Sequence, residues 1–473
     1  MGTGGVRAAL CTLDGLCVAS ASGSIAGAEV ENLPPGWHEQ SPGSWWRAAA
    51  NCVRTLTGRV NPADIAALSI DSTSGTVLFL DASGRPLRPA IMYNDGRAAD
   101  QAKHANAAAT DFIARHGFQF GSSFALAKVL WVKENEPKVF EKAAIVCHPA
   151  DYLAGRIRGD FRITDTSNAL KMGCDLFDGT WPGFITDELG IPREKLPRLV
   201  LPGQATGTVC ESAARELGLR ETSVVVAGCT DGTAGFLASG ASGAGHWAAV
   251  LGTTLVLRGI SGTIVKDAAG RVYCHRHPDG WWLPGAACSV GGECLAAHFP
   301  NRDLAQLDQL AAAREPDAGG LICYPLVRRG ERFPFVNPNA EGFVSREPAD
   351  DVELHRACLE GVAFVERWAM DVFAGLGADV SGPVHATGGG AKSELWLRIR
   401  ASVLGRDLLV PEHSGCEFGA AALAAAPTIG SVSEACRRIV RIAKCVQPDP
   451  ALKSQYDEKY ERFRRLCAER GFG

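Results

Sequence analysis

Three glycine-bearing turns beside strand-like runs set the strongest constraint on this chain. They are Gly2-Thr3-Gly4-Gly5 ahead of Val6-Arg7-Ala8, then Gly252-Thr253-Thr254, then Thr387-Gly388-Gly389-Gly390-Ala391-Lys392-Ser393. Between the first two stands a lone carboxylate among small residues, Gly228-Cys229-Thr230-Asp231-Gly232-Thr233. Backbone N–H groups without side-chain bulk approach phosphate oxygens closely. Several such turns and one carboxylate therefore suggest a polyphosphate site with a proton acceptor.

The pattern around these turns is alternating α/β. Val6 to Leu13 and Leu16 to Ser20 read as a hairpin closed at Asp14-Gly15. Trp45 to Leu56 reads as a helix, Ile65 to Ser69 as a strand, and Asp71-Ser72-Thr73-Ser74-Gly75 breaks the pattern before Thr76 to Leu80. Lys128 to Val132 is helical, and Ser223 to Ala227 is a strand running into the Asp231 loop and a helix from Thr233 to Leu237. Trp247 to Leu251, the Gly252-Thr253 turn and Thr254 to Arg258 repeat the strand–turn–strand of the opening. A helix from Val352 to Phe373 carries one apolar stripe. Val384 to Ala386 enters the triple-glycine loop and Glu394 to Val403 leaves it. Two similar halves suggest duplicated α/β domains, residues 1–240 and 241–473, with a small-residue hinge at Ala238 to Gly245 and a packing helix at the C-terminal end.

Composition removes several function classes. A chain of 473 residues is long enough for two or three cores. A net charge of −4 with no Lys/Arg block argues against nucleic acid as a partner. The 16 cysteines are scattered without Cys-x-x-Cys pairs or zinc-ligand spacing, so they read as small buried hydrophobes in a reducing compartment. No run of eighteen apolar residues and no signal sequence is present, because Asp14 interrupts the first apolar stretch. The expectation is a cytoplasmic protein without membrane association, a monomer or homodimer.

A kinase acting on a hydroxyl needs donors around the phosphates, a divalent metal and a base for the alcohol proton. The turns supply donors and Asp231 can supply a base, although local spacing alone favours reading Asp231 as the N-cap of its helix. Taken singly, the other features have structural readings. Gly388-Gly389-Gly390 reads as a strand-to-helix connection and His385 as a core histidine. Tyr93-Asn94-Asp95-Gly96-Arg97 carries both charges, which a surface turn explains equally well, and Lys128 could reach a substrate or a phosphate but reads by default as a solvated helix lysine. No G-x-x-x-x-G-K-[ST] occurs, so the chain is not a P-loop enzyme.

Taken in order, these segments resemble the FGGY family of carbohydrate kinases over nearly the whole chain. Gly2-Thr3 to Arg7 resembles the first phosphate turn, Asp95-Gly96-Arg97 the Asp-x-Arg element, and Lys128 to Asn135 a family signature in which Ala125 stands where Pro, Ser or Thr is usual. The Asp231 loop resembles the catalytic-base motif, Gly252-Thr253-Thr254 the second phosphate turn, and Gly330 to Pro334 another shared block. Leu359 to Phe364 and Gly388 to Trp396 complete the series, the last resembling the adenosine loop. The resemblance implies two actin/hexokinase-like (ribonuclease H-like) domains around a central cleft. It also implies ATP and Mg2+ as cofactors, and Asp231 as base and metal contact. Nucleotide contacts are expected from Gly2, Thr3, Gly252, Thr253, Gly389, Gly390, Ser393 and Trp396.

On the substrate side, Asp71 to Val77 and Phe236 to Ala241 resemble the D-ribulokinase-like branch. Gly4, Gly5, Ser74 and Asp231 are then expected to line a small linear ketose, D-ribulose first, with D-xylulose or another polyol as the alternative. The resemblance further implies a strand ending in Asp just before the first turn, a position that falls ahead of Met1. The expectation is a start placed too far downstream. The alternative is a non-catalytic sugar- or nucleotide-binding protein, with Asp14 and Asp71 as the carboxylates nearest the turn.

Overall fold

The computed structural model describes residues 1–314 and 320–473. The chain divides into two compact units that are not consecutive halves. The first comprises Met1–Ala238, Pro278–Gly280 and Gly415–Val440, and the second Ser239–His277, Trp281–Ser414 and Arg441–Gly473. The expected division into 1–240 and 241–473 assigned Gly415–Val440 to the second domain. Its alanine-rich helix, Cys416–Ile429, instead packs on the first unit's strands and on its helix at Asp231.

In the first unit, β1 (Gly5–Cys11) and β2 (Cys17–Ser24) form an antiparallel hairpin in register from Gly5↔Ser24 to Leu10↔Ala19. Helix α1 (Pro42–Thr57) covers it with the fully buried Trp45. Strand β3 (Ala67–Ser69) belongs to a separate sheet among the described residues. Its partner is parallel β5 (Val224–Val226), which in turn pairs antiparallel with β4 (Ala205–Thr208). Helices α2 (Ala125–Asn135) and α3 (Pro149–Arg158) lie between β3 and β4 in the chain, and α4 (Asp231–Leu237) follows β5.

The second unit holds a seven-stranded sheet among the described residues. At its centre β6 (Trp247–Leu251) pairs antiparallel with β7 (Leu255–Gly259) and parallel with β8 (Val384–Thr387). Helix α5 (Asp351–Gly375) packs on α6 (Glu394–Leu404), and α7 (Lys453–Ala468) closes that side. Apolar periodicity explains α5: Cys358, Val362, Val365 and Trp368 are all buried. A buried ion pair links α5 and α6, with Arg400 Nε and Nη2 donating to Glu366 at 2.6 and 2.8 Å. Among the described residues no helix is long and apolar enough to cross a membrane. The cysteines are all free thiols, most of them buried.

Candidate functional site

The sequence places Asp231 where a buried strand ends and a helix begins. In the structure the helix cap is Thr230, and Asp231 is the first residue of α4. The capping alternative therefore gives way: the Asp231 carboxylate accepts a local bond from the Gly232 N–H at 2.7 Å. The loop is fixed from outside, by the Asp231 N–H donating to Ser72 O at 2.7 Å and by Ser167 Oγ at 3.1 Å from both Thr230 and Thr233.

A cavity of about 460 Å3 within the first unit is lined by Gly2, Gly4, Gly5, Ser24, Asp71 and Asp231. The first turn thus meets the candidate base, although their segments are far apart in the chain. Gly2 N–H donates to Gly5 O at 2.9 Å, closing the turn. A Cβ on Gly5 would come within 2.8 Å of the Gly23 carbonyl oxygen, so only glycine lets the hairpin close here. Thr3 is not among the lining residues; its hydroxyl donates to Tyr93 Oη at 3.3 Å.

Three carboxylates line this cavity, Asp71, Asp231 and Glu417. Burial pushes the Asp231 carboxyl above the ordinary aspartate range, and the negative charge of Asp71 pushes the same way. The Gly232 N–H, the Met1 ammonium and Lys171 oppose the rise without cancelling it. Asp71 itself accepts from the Met1 ammonium, which reaches its Oδ1 at 3.0 Å and its carbonyl at 2.8 Å. Asp14 stays at the exposed hairpin tip, bonded to Thr12. A buried base with a raised pKa beside glycine N–H groups suits proton abstraction from an alcohol.

Ser74 is not among the residues lining this cavity; its hydroxyl, in the loop that leaves β3, is shielded from solvent and has no hydrogen-bond partner among the described residues. An unpartnered buried hydroxyl is costly, and a ligand hydroxyl is the kind of group that satisfies it. Lys128 is fully buried, with Nζ donating to Gly75 O at 3.0 Å. The reading of Lys128 as solvated is thus corrected. Burial, with the nearby cation of Lys171, brings its pKa down to about 7. The Tyr93–Arg97 segment is not a surface turn either. Arg97 donates to Asp95 and Glu39, each at 2.7 Å, and its guanidinium lies 3.7 Å from the Trp37 ring centre. Burial opposes the Asp95 charge, but Arg97 and the His38 N–H outweigh it and hold this carboxyl below its ordinary range.

The second unit gathers the other two turns. Because β6 and β8 run parallel, in register from Trp247↔Val384 to Val250↔Thr387, the turns that leave them emerge side by side at the sheet's carboxyl end. Gly388 has φ +83°, and a Cβ there would sit 2.6 Å from Leu251 O. Ser393 caps α6, its hydroxyl accepting from Trp396 N–H at 3.0 Å. The Trp396 indole lies in the core and donates to Leu359 O at 3.0 Å, anchoring the departing helix. His385 is a core histidine between Ser239 O at 2.7 Å and His246 at 3.2 Å.

Two features escaped the sequence reading. Lys171, close enough to favour the charged form of Asp231, sits in a single helical turn with no motif around it. Gly291-Gly292 supports the second turn, with Gly292 N–H donating to Gly252 O at 2.8 Å. A Gly-Gly pair opening a helix was its only sequence signal.

Family models match both units. The FGGY family of carbohydrate kinases, N-terminal domain, matches residues 1–238, and the C-terminal domain residues 247–427. Xylulose kinase of Escherichia coli (strain K12) is 31% identical over 476 residues, covering 98% of this chain and 97% of that protein. Xylulose kinase of Bacillus subtilis (strain 168) is 27% identical over 91% of this chain and 89% of that protein. The crystal structure of xylulose kinase from Rhodospirillum rubrum superposes with a TM-score of 0.85 at 30% identity, covering 99% of this chain and 97% of that one. With the glycine turns and the Asp231 loop in place, these matches establish that the chain belongs to the FGGY family of carbohydrate kinases, a sugar-phosphorylating enzyme with the two-domain fold of that family.

Proposed function

We propose that this enzyme transfers the γ-phosphoryl group of ATP to a terminal hydroxyl of a ketopentose, D-xylulose ahead of D-ribulose. The observation that carries the reading is Asp231: a desolvated carboxylate in a cavity rimmed by the glycine turn. Relatives named xylulose kinase align across almost their entire length, which moves the first choice from D-ribulose to D-xylulose.

In this mechanism Asp231 takes the proton of the attacking hydroxyl, and its raised pKa brings it closer to the optimum for a base at neutral pH. Ser74 gives the ketose a hydrogen-bond partner, and Gly4 and Gly5 leave room for its chain. The backbone N–H groups at Thr253, Gly389 and Gly390 bind phosphate oxygens, while Gly2 and Gly252 shape their turns, their own N–H groups donating to Gly5 O and Thr254 O. Little covalent chemistry falls to the protein, so positioning and charge neutralisation dominate.

The residues present fit a magnesium ion that arrives on the nucleotide. Asp231 and Asp71 offer hard oxygen donors beside the first turn. No group of three or more ligating side chains occurs among the described residues, as suits an ion held mainly by phosphates and water. When bound, magnesium neutralises charge on the phosphates.

A coupled ADP-release assay over D-xylulose, D-ribulose, glycerol and gluconate tests the proposal. The expected result is a kcat/KM for D-xylulose about tenfold or more above the others, a gap worth roughly 1.4 kcal/mol. Glycerol or gluconate outpacing both ketoses overturns it. The alternative reading is a non-catalytic sugar- or nucleotide-binding protein. ATP binding by calorimetry without sugar-dependent ADP release decides for that reading.

A further inference from the structure

Asp231 opens a helix of seven residues, and a helix that short is marginal on its own. Its body is held by packing. Ala234, Phe236 and Leu237 are buried, and a Cβ on Gly419 of the helix Cys416–Ile429 would sit 1.9 Å from Ala234 O. The first turn has no such hold. The Thr230 side chain makes no capping bond to it, and the Gly232 N–H donates to the Asp231 carboxylate itself. Where Asp231 stands therefore depends on what the residues flanking it bind.

Those residues bind Ser167. Its hydroxyl accepts from the Thr230 N–H at 3.2 Å and lies 3.1 Å from the hydroxyls of both Thr230 and Thr233, which are 3.0 Å from each other. All three side chains are buried, so bulk water does not replace a missing hydroxyl. Ser167 is itself held in place by a carboxylate. It lies in the four-residue helix Thr166–Ala169, which Asp165 caps, Oδ1 accepting from the Asn168 N–H at 2.8 Å and Oδ2 from Asn168 Nδ2 at 2.7 Å. Asp165 ends a strand, Ile163–Asp165, that pairs in parallel with Arg198–Val200. A carboxylate anchored in a sheet thus orients Ser167, and Ser167 grips the chain one residue before Asp231 and two residues after it. The Asp231 backbone has two other contacts, Ser72 O on its N–H and a weak thiol donor, Cys416 Sγ, 3.4 Å from its carbonyl oxygen. Neither takes the Thr230 N–H.

We propose that Ser167, oriented by Asp165 and Asn168, is a positioning residue for the reaction: it fixes the first turn of α4 so that the Asp231 carboxylate meets the attacking hydroxyl within hydrogen-bond reach. The inference rests on the reading of Asp231 as base. Ser167 does not line the Asp231 cavity, so it acts through the loop and not on a ligand there. A base works only within about 3 Å of the proton it takes, and a misplacement of about 1 Å costs roughly a hundredfold in rate.

A double-mutant cycle in the full chain tests it. Ser167→Ala is expected to lower kcat by about tenfold to a hundredfold, with the KM for ATP within about twofold of the parent. In the Asp231→Asn background the same substitution is expected to change the residual kcat by less than about twofold, because no base is left to position. An equal loss in both backgrounds overturns the proposal, and so does a Ser167→Ala kcat within about threefold of the parent. Amide exchange gives a reading without turnover. The amides of residues 230–234 are expected to exchange about tenfold faster in Ser167→Ala, and unchanged exchange there overturns the proposal. If Ser167→Ala does not fold, Asp165→Asn, which keeps the shape and loses the acceptor for Asn168 Nδ2, takes its place in both measurements with the same expectations. Asp231→Asn activity within about tenfold of the parent removes the base reading and this proposal with it, whereas the other failures remove this proposal alone.

Discussion

The N–H of Asp231 donates to the carbonyl oxygen of Ser72 across 2.7 Å, tying the first turn of α4 to the loop that leaves β3. With the Ser72 N–H donating to Cys229 O at 3.2 Å, it joins two strand ends distant in sequence and brings Asp71 and Asp231 to the same cavity. A carboxylate that is both desolvated and beside a like charge holds its proton longer, which is the condition a general base for an alcohol requires.

Asp231→Asn keeps the shape of the side chain and removes the proton acceptor. The kcat is expected to fall by about a hundredfold or more, with ATP affinity within about twofold of the parent. Steady-state kinetics beside calorimetry checks this. Activity within about tenfold of the parent refutes the base assignment.

Asp71→Asn removes the like charge and leaves the burial. Burial is the larger cause of the raised Asp231 pKa, so the acid limb of kcat/KM is expected to stay above the ordinary aspartate value. The limb shifts to lower pH relative to the parent. A pH–rate profile of both proteins reads the shift, and a limb displaced to higher pH contradicts the coupling.

Neighbouring glycines in the third turn are expected to behave differently. Gly388→Ala puts a Cβ 2.6 Å from Leu251 O at a φ of +83°, and should cost about 1–3 kcal/mol in urea unfolding. At Gly389 the nearest atom to such a Cβ is 4.0 Å away, so stability should hold within about 0.5 kcal/mol. If the loop cradles phosphate, Gly389→Ala still raises the KM for ATP, by roughly tenfold for one lost hydrogen bond to a charged group.

Arg400 and Glu366 are each fully buried and bonded through two N–H groups. Arg400→Ala leaves a carboxylate uncompensated in the core, with an expected loss of about 3–5 kcal/mol. The pair Arg400→Met with Glu366→Leu should recover most of it. Denaturant melts of the single and double variants distinguish the buried charge from lost packing.

Lys128 has its pKa lowered to about 7 from an ordinary 10.5, chiefly by burial. Between those values the unfolded chain binds the extra proton, so this group's penalty is full below pH 7 and is relieved as pH rises. Lys128→Met removes that slope. Relative to the parent, the variant is expected to be most favoured near pH 6 and least near pH 10, measured as Tm against pH. A difference independent of pH refutes it.

Much of this molecule was legible because its signals are local. The Asp14-Gly15 turn closes β1 on β2, the Gly252-Thr253 turn joins β6 to β7, and the apolar stripe of α5 is buried. Turn chemistry and helical period depend on neighbours within a few residues, and so does the Asp231 loop between strand and helix. The departures share one cause. Lys128 and Arg97 carry charges that composition assigns to solvent, yet Gly75 O receives one and Glu39 with Asp95 the other. The partner of the buried Trp396 indole, Leu359 O, is likewise distant in sequence. The returning helix Cys416–Ile429 lies in the second half of the chain and packs in the first unit. The turns, the strands and helices around them, and the carboxylate loop follow from residues adjacent in the chain. Which polar groups are buried, and which distant strand ends share a cavity, follow from long-range packing, which a side chain's neighbours along the chain do not specify.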